Sequence, residues 1–128
     1  MHKKIYLSGK ITGLTYEEAL AMFEAAEKEA LKIAKEVVNP MKLAFELFKP
    51  KDPNNITWGE YMVNDLHAIM NLGVDSIYML KNWQLSDGAK IEFFTAQIKN
   101  LPVHYECEKT MGIFYLIPNY QYYGSKKN

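Results

Sequence analysis

Two kinds of hydrophobic spacing alternate along the chain. Short apolar runs predict strands at residues 5–7, 36–40 and 75–80, with a loop and a fourth strand over residues 100–106. Apolar positions at helical spacing predict helices over residues 15–35, 57–72 and 89–99, and residues 41–56 suggest a helical turn and a loop. Strands that alternate with helices in this order predict an α/β fold, in which a parallel sheet is covered on both faces.

The predicted helix starts carry a recognisable sequence form. Thr15 and Glu18, and again Thr57 and Glu60, have the T-x-x-E spacing of a capping box. The segment between the second strand and the helix after Thr57 is rich in Pro and Asn, which favours a loop. Such a loop, residues 41–56, can cover a pocket as a lid.

Two acidic residues fall on helix faces that should point into the core. Glu92 shares its stripe with Ala89, Phe93 and Ala96, and Asp65 lies on an apolar stripe that begins at Trp58. A carboxylate in such a position is either paired or functional. The structural alternative for Glu92 is an ion pair with a lysine at the edge of the stripe. The structural alternative for Asp65 is a hydrogen bond that caps a neighbouring backbone segment.

Three polar loops are expected at one edge of the sheet. Ligands of parallel α/β sheets bind outside the carboxyl ends of the strands. Residues 8–13, 39–40 and 83–88 each follow a predicted strand, so they gather there. The turn before the third helix also offers unpaired backbone N–H groups, which suit an anion. These loops predict a pocket.

Composition and charge restrict the partners. The 15 cationic residues balance 15 acidic ones, which argues against a nucleic-acid polymer or an anionic membrane as partner. Every cation is a lysine, so the bidentate phosphate clamp of arginine is missing. The single cysteine and three histidines show no metal-ligand spacing, so no metal is predicted. The apolar run near the first residue is too short for a signal peptide, and a cytoplasmic protein is expected.

Several short motifs, in their order and spacing, resemble the nucleoside 2-deoxyribosyltransferase superfamily. Within it, the likeness is to small proteins that open with Y-L-S-G-P-I-T-G, and a better characterised relative is the 2′-deoxynucleoside 5′-monophosphate N-hydrolase. The resemblance covers roughly residues 4–106. The motifs that carry it are Tyr6-Leu7-Ser8-Gly9-Lys10-Ile11-Thr12-Gly13, Val38-Asn39-Pro40, Asp65-Leu66, Asp75 and Gly88-Ala89-x-x-Glu92.

The resemblance implies a flavodoxin-like (Rossmann-like) three-layer sandwich with four or five parallel strands, and chemistry at the N-glycosidic bond of a nucleoside or nucleoside 5′-monophosphate. It implies that Glu92 is the nucleophile and that Asp65 assists with proton transfer and sugar contacts. It implies no cofactor. The substrate-binding residues predicted from the resemblance and the loop positions are Tyr6, Ser8, Gly9, Lys10, Thr12, Gly13, Asn39, Trp83, Ser86 and Gly88.

The sequence also departs from the pattern of these relatives. Lys10 stands where the small proteins have proline, and Thr12 stands where the nucleotide hydrolase has a phosphate-binding arginine. Nucleoside and nucleotide therefore both stay open as substrates. A second hypothesis is a protein that binds or sequesters a nucleotide in the same pocket without turnover. Trp58 and Trp83 are expected in the core or in the lid, and Trp83 is also open to stacking on a base.

The last part of the chain fits the pattern less well. We expect a domain over residues 1–106 and an extension over residues 107–128. Residues 111–117 suggest a fifth strand, and the tyrosines that follow favour a contact with a neighbouring subunit. The resemblance implies a homodimer or a larger homo-oligomer.

Overall fold

A computed structural model describes residues 1–111 and contains a four-stranded, all-parallel sheet in the order β2-β1-β3-β4. The strands are β1 (His2–Ser8), β2 (Ala34–Val38), β3 (Ser76–Met79) and β4 (Val103–Tyr105). The helices are α1 (Tyr16–Ala30), α2 (Pro40–Leu47), α3 (Trp58–Asn71) and α4 (Asp87–Ile98). This architecture confirms the predicted α/β class and the flavodoxin-like three-layer arrangement.

Both predicted capping boxes begin helices. Thr15 precedes α1 and Thr57 precedes α3, and each threonine side chain accepts a hydrogen bond from the backbone N–H of a glutamate three residues later. That glutamate side chain accepts a hydrogen bond from the threonine N–H in return. Each box satisfies two helix N–H groups that would otherwise lack partners.

The sheet separates two hydrophobic clusters. Alternate residues of a strand point to opposite faces. Ile5 and Leu7 therefore pack towards α1, whereas Tyr6 joins the cluster built from α3 and α4. The side chains of Ile5, Tyr6 and Leu7 are fully buried, as expected for a strand in the middle of a parallel sheet.

The first helix is shorter than its hydrophobic spacing predicts. The prediction of a helix to Lys35 is wrong, because α1 ends at Ala30 and β2 begins at Ala34. Ile33 and Ala34 continue the helical spacing of α1, and no glycine or proline marks the helix end. Pairing with β1, in which Ala34 lies opposite His2, decides the conformation there.

The chain order places the loops after β1 and β3 side by side. These two strands are neighbours, although β1 leads to α1 on one face and β3 leads to α4 on the other. The crevice at such a switch point is where open α/β sheets bind ligands. Gly9 lies in this crevice against Leu80, whose Cβ would be 2.8 Å from a Cβ added to the glycine.

In the part of the chain that is described, no helix has both the length and the apolar character needed to cross a membrane. Of the predicted fifth strand, residues 111–117, only Met111 is described, and the rest of it lies outside the described residues together with the tyrosine-rich subunit contact.

Candidate functional site

Glu92 lies on the inner face of α4. Ser86 caps this helix by accepting a hydrogen bond from the Ala89 N–H at 3.0 Å. The cap fixes the start of the helix, so Glu92 falls on the same buried stripe as Ala89 and Phe93, as predicted. Its exposed fraction is only 4%.

Two hydroxyl groups of β1 hold the Glu92 carboxyl group. The Ser8 hydroxyl donates to Oε1 at 2.5 Å, and the Tyr6 hydroxyl donates to Oε2 at 3.4 Å. Tyr6 and Ser8 are two residues apart, so the strand presents both to the same face. The shorter bond makes Ser8 the main positioning partner of Glu92.

Asp65 is the second buried carboxyl group of the site. It lies on α3, is 3% exposed and lines the same pocket as Glu92. The two acids predicted from separate helix stripes therefore meet.

Burial changes the proton affinity of this acid pair. It raises the pKa of Asp65 to about 6, although hydrogen bonds with Glu92 and Tyr6 act in the opposite direction. Burial, followed by the charge of Asp65, raises the pKa of Glu92 well above its ordinary value. Two adjacent buried carboxylates repel each other, so their proximity also favours protonation of the pair.

The acid pair opens onto a pocket of about 220 Å³. Three segments surround it: the loop between β1 and α1, the segment that leads into α3, and the start of α4. The second of these is the predicted lid, which contributes Pro53, Asn54 and Ile56. The remaining lining residues are Gly9, Ile11, Thr12, Gly13, Leu14, Tyr16, Trp58, Tyr61, Met62, Asp65, Ser86, Gly88, Ala89 and Glu92.

The structure brings most of the predicted site residues together. Tyr6 and Ser8 lie beneath the pocket, where they contact Glu92. Lys10 borders the pocket without lining it, and its Nζ lies 3.9 Å from a Cβ added to Gly13. The predicted residues that line the pocket are Gly9, Thr12, Gly13, Asp65, Ser86, Gly88 and Glu92.

Two predicted binding residues lie elsewhere. The Asn39 side chain caps α2, accepting from the Met41 N–H at 3.0 Å, and donates to Glu27. Trp83 is fully buried and stacks on Phe93 with 5.0 Å between the ring centroids. The structure thus gives Asn39 a capping role and Trp83 a core role, because neither side chain reaches the pocket.

Several lining residues were not singled out from the sequence. Trp58, Tyr61 and Asn54 all contribute to the pocket wall. The stripe of α3 contained a signal for two of them, since Trp58 and Tyr61 share that stripe with Asp65. The apolar stripe alone predicts core packing, and only the position of the helix relative to α4 shows that its first turn borders a cavity.

The histidines and the cysteine take no part in the pocket lining. His2 and His104 form a hydrogen bond with each other at 2.8 Å between their Nε2 atoms. Cys107 is a free thiol. Within residues 1–111, no three His, Cys, Asp or Glu side chains are grouped so that they could hold a metal ion.

Residues 3–105 match the model of a family described as a domain of unknown function (DUF4406). No curated protein matched, and no solved structure matched. The family description names no activity, so function has to be inferred from the pocket itself.

Proposed function

The chain belongs to the DUF4406 family, and we propose that its pocket cleaves or transfers the N-glycosidic bond of a deoxynucleoside, with Glu92 as the nucleophile. One observation carries the proposal. Two buried carboxyl groups, Asp65 from α3 and Glu92 from α4, line one pocket. The likeness to the nucleoside 2-deoxyribosyltransferase superfamily supplies the substrate class.

Glu92 has the surroundings of a positioned nucleophile. Loss of the base leaves an oxocarbenium-like sugar, which a nearby carboxylate stabilises and can capture covalently. The hydroxyl groups of Ser8 and Tyr6 donate to the Glu92 carboxylate and thereby favour its ionised form. They also fix its orientation towards the pocket.

Asp65 supplies the proton that the departing base needs. The reaction requires the form of the pair in which Asp65 carries a proton and Glu92 is ionised, because only then is the Glu92 carboxylate free to attack the anomeric carbon. The pKa of Asp65 of about 6 lies close to neutral pH, which suits a group that gives up and regains a proton. Water or a second base then takes the sugar from Glu92, which decides between hydrolysis and transfer.

The charge of the pocket favours a nucleoside over its 5′-monophosphate. Two carboxyl groups line the pocket, whereas no lysine of the described chain does. A phosphate dianion would be placed near negative charge, with Lys10 at the border as its nearest expected cation. We therefore propose that the uncharged nucleoside is the better substrate.

Base release is the direct test. The protein is incubated with each deoxynucleoside and its monophosphate, with and without a second free base, and the products are separated by chromatography. Glu92→Gln should abolish release and remove any covalent deoxyribosyl adduct detected by intact mass. Asp65→Asn should slow release by roughly 10²–10⁴-fold. Exposed Glu46 provides the control, and Glu46→Gln should leave the rate unchanged.

Binding without turnover is the second candidate. It is favoured by the raised pKa of Glu92, because a protonated carboxyl group is a poor nucleophile. If no base is released or exchanged, and Glu92→Gln binds nucleoside as tightly as the wild type, the catalytic proposal is wrong and the binding function replaces it.

A further inference from the structure

Trp58 is an unusually exposed aromatic residue for a pocket wall. Half of its surface, 50%, remains exposed, although it lines the same pocket as the acid pair. The other aromatic residues of the wall are Tyr16 and Tyr61, which are 9% and 7% exposed. Trp58 is therefore the lining aromatic residue, in the described chain, with a large area of ring available to a ligand.

The position of Trp58 is fixed from two directions. It is the first residue of α3 and directly follows the Thr57 cap. Glu60 closes that capping box and also accepts a hydrogen bond from Lys51 at 2.7 Å, which ties the lid segment to the helix start. An aromatic residue on such a support loses little further conformational freedom on binding.

Gly88 allows the indole to lie beside the start of α4. A Cβ added to Gly88 would lie 3.4 Å from Trp58 Nε1 and 2.9 Å from Met62 Sδ. Gly88 and Glu92 are four residues apart on the helix, which is about 6 Å along its axis. A planar ring that lies beside Trp58 would therefore place an attached group about one turn further along α4, near the carboxyl groups of Glu92 and Asp65.

We propose that Trp58 is the stacking surface for the planar heterocycle of the ligand. The inference rests on the proposed function and adds the residue that holds the base. Stacking depends on the π-face that every base has, so it accepts purines and pyrimidines alike. The ligand class is therefore a nucleoside with broad tolerance for the base, recognised through its ring rather than through the hydrogen-bonding pattern of its edge.

Tryptophan emission reports this contact without any need for turnover. The chain has two tryptophans, and Trp83 is fully buried against Phe93. We would titrate the wild-type protein with deoxyadenosine, deoxycytidine, the two free bases and 2-deoxyribose. The nucleosides and bases should change the emission in a saturable manner, and 2-deoxyribose should not. Trp58→Phe should abolish the change while retaining most of the affinity measured by calorimetry.

Removal of the ring tests the energetic part of the inference. Trp58→Leu should weaken nucleoside binding by about ten- to a hundredfold, the range expected for the loss of one base–aromatic stack. Phe94 is a partly buried aromatic residue of α4 outside the pocket, so Phe94→Leu is the matched control and should bind like the wild type. Circular dichroism would establish that each variant is folded.

The outcomes separate this inference from the proposed function. Nucleoside binding that leaves the emission unchanged, together with equal affinity in Trp58→Leu, would overturn the role of Trp58. An emission change that Trp58→Phe abolishes, without release of any base, would support Trp58 and count against catalysis. Absence of any calorimetric binding by nucleosides and bases would overturn both.

Discussion

The acid pair makes a prediction about stability that does not depend on the substrate. Asp65→Asn replaces a buried carboxyl group with an amide of nearly the same shape. The folded protein holds a proton on the pair at a pH where the unfolded chain has released it, because burial raises the pKa of Asp65. The free energy of unfolding of the wild type should therefore fall as the pH rises, and the substitution should reduce this fall.

The size of the effect follows from the two pKa values of Asp65. Its pKa is 3.8 in the unfolded chain and about 6 in the folded protein. Each pKa unit corresponds to about 1.4 kcal/mol, so the stabilisation present below pH 3.8 decreases by roughly 3 kcal/mol once the pH exceeds 6. Between pH 4 and 7, the variant should gain about 2–3 kcal/mol relative to the wild type. The raised pKa of Glu92, which the charge of Asp65 supports, acts in the same direction at higher pH.

Urea unfolding, followed by circular dichroism at a series of pH values and constant ionic strength, measures this difference. Linear extrapolation gives the free energy of unfolding at each pH. Glu46→Gln is the surface control and should follow the wild type, since the Glu46 side chain is 67% exposed. A difference between wild type and Asp65→Asn that stays constant from pH 4 to 7 would refute the buried, proton-sharing pair.

Three further substitutions have defined outcomes. Ser8→Ala removes the donor that lowers the pKa of Glu92, so the pH profile of kcat should move to higher pH, and kcat at pH 7 should fall roughly tenfold or more. Gly9→Ala should lower the free energy of unfolding, measured with urea, by about 1–3 kcal/mol, because the added Cβ has no room. Gly59→Ala should not lower it, because the space around Gly59 is open. Asp75→Ala removes a carboxylate that accepts hydrogen bonds from two backbone N–H groups, and these bonds also lower the pKa of Asp75. The free energy of unfolding should therefore fall by about 1 kcal/mol at pH 7, and by less as the pH falls below 4.

The parts of the fold that local chemistry determines were predictable. A threonine followed by a glutamate at the third position begins a helix through its own hydrogen bonds, and both such sites do so. The acids Asp65 and Glu92 were found because a charged residue breaks an otherwise apolar stripe. The end of α1 was missed, because strand pairing with β1 is a long-range interaction that helical spacing does not contain.

The two tryptophans show the same limit of prediction from sequence at the candidate site. Both follow loops and both precede helical residues, so their local patterns are alike. Trp83 enters the core because Phe93 packs against it, and Trp58 borders the pocket because Gly88 of α4 lies beside it. Which of the two lines the pocket depends on contacts between distant segments, and these follow from the sheet order.

The hydrogen bonds from β1 to Glu92 have a practical consequence. Tyr6 and Ser8 precede Glu92 by 86 and 84 residues, and exposed residues 49–52 lie between them in the chain. A protein divided at this exposed segment has the two hydroxyl groups on one fragment and both acids on the other. The fragments can rejoin only through the pairing of β1 with β3 and the packing around it. Restoration of the proposed base release would then report fragment complementation, and the signal would require correct assembly of the sheet.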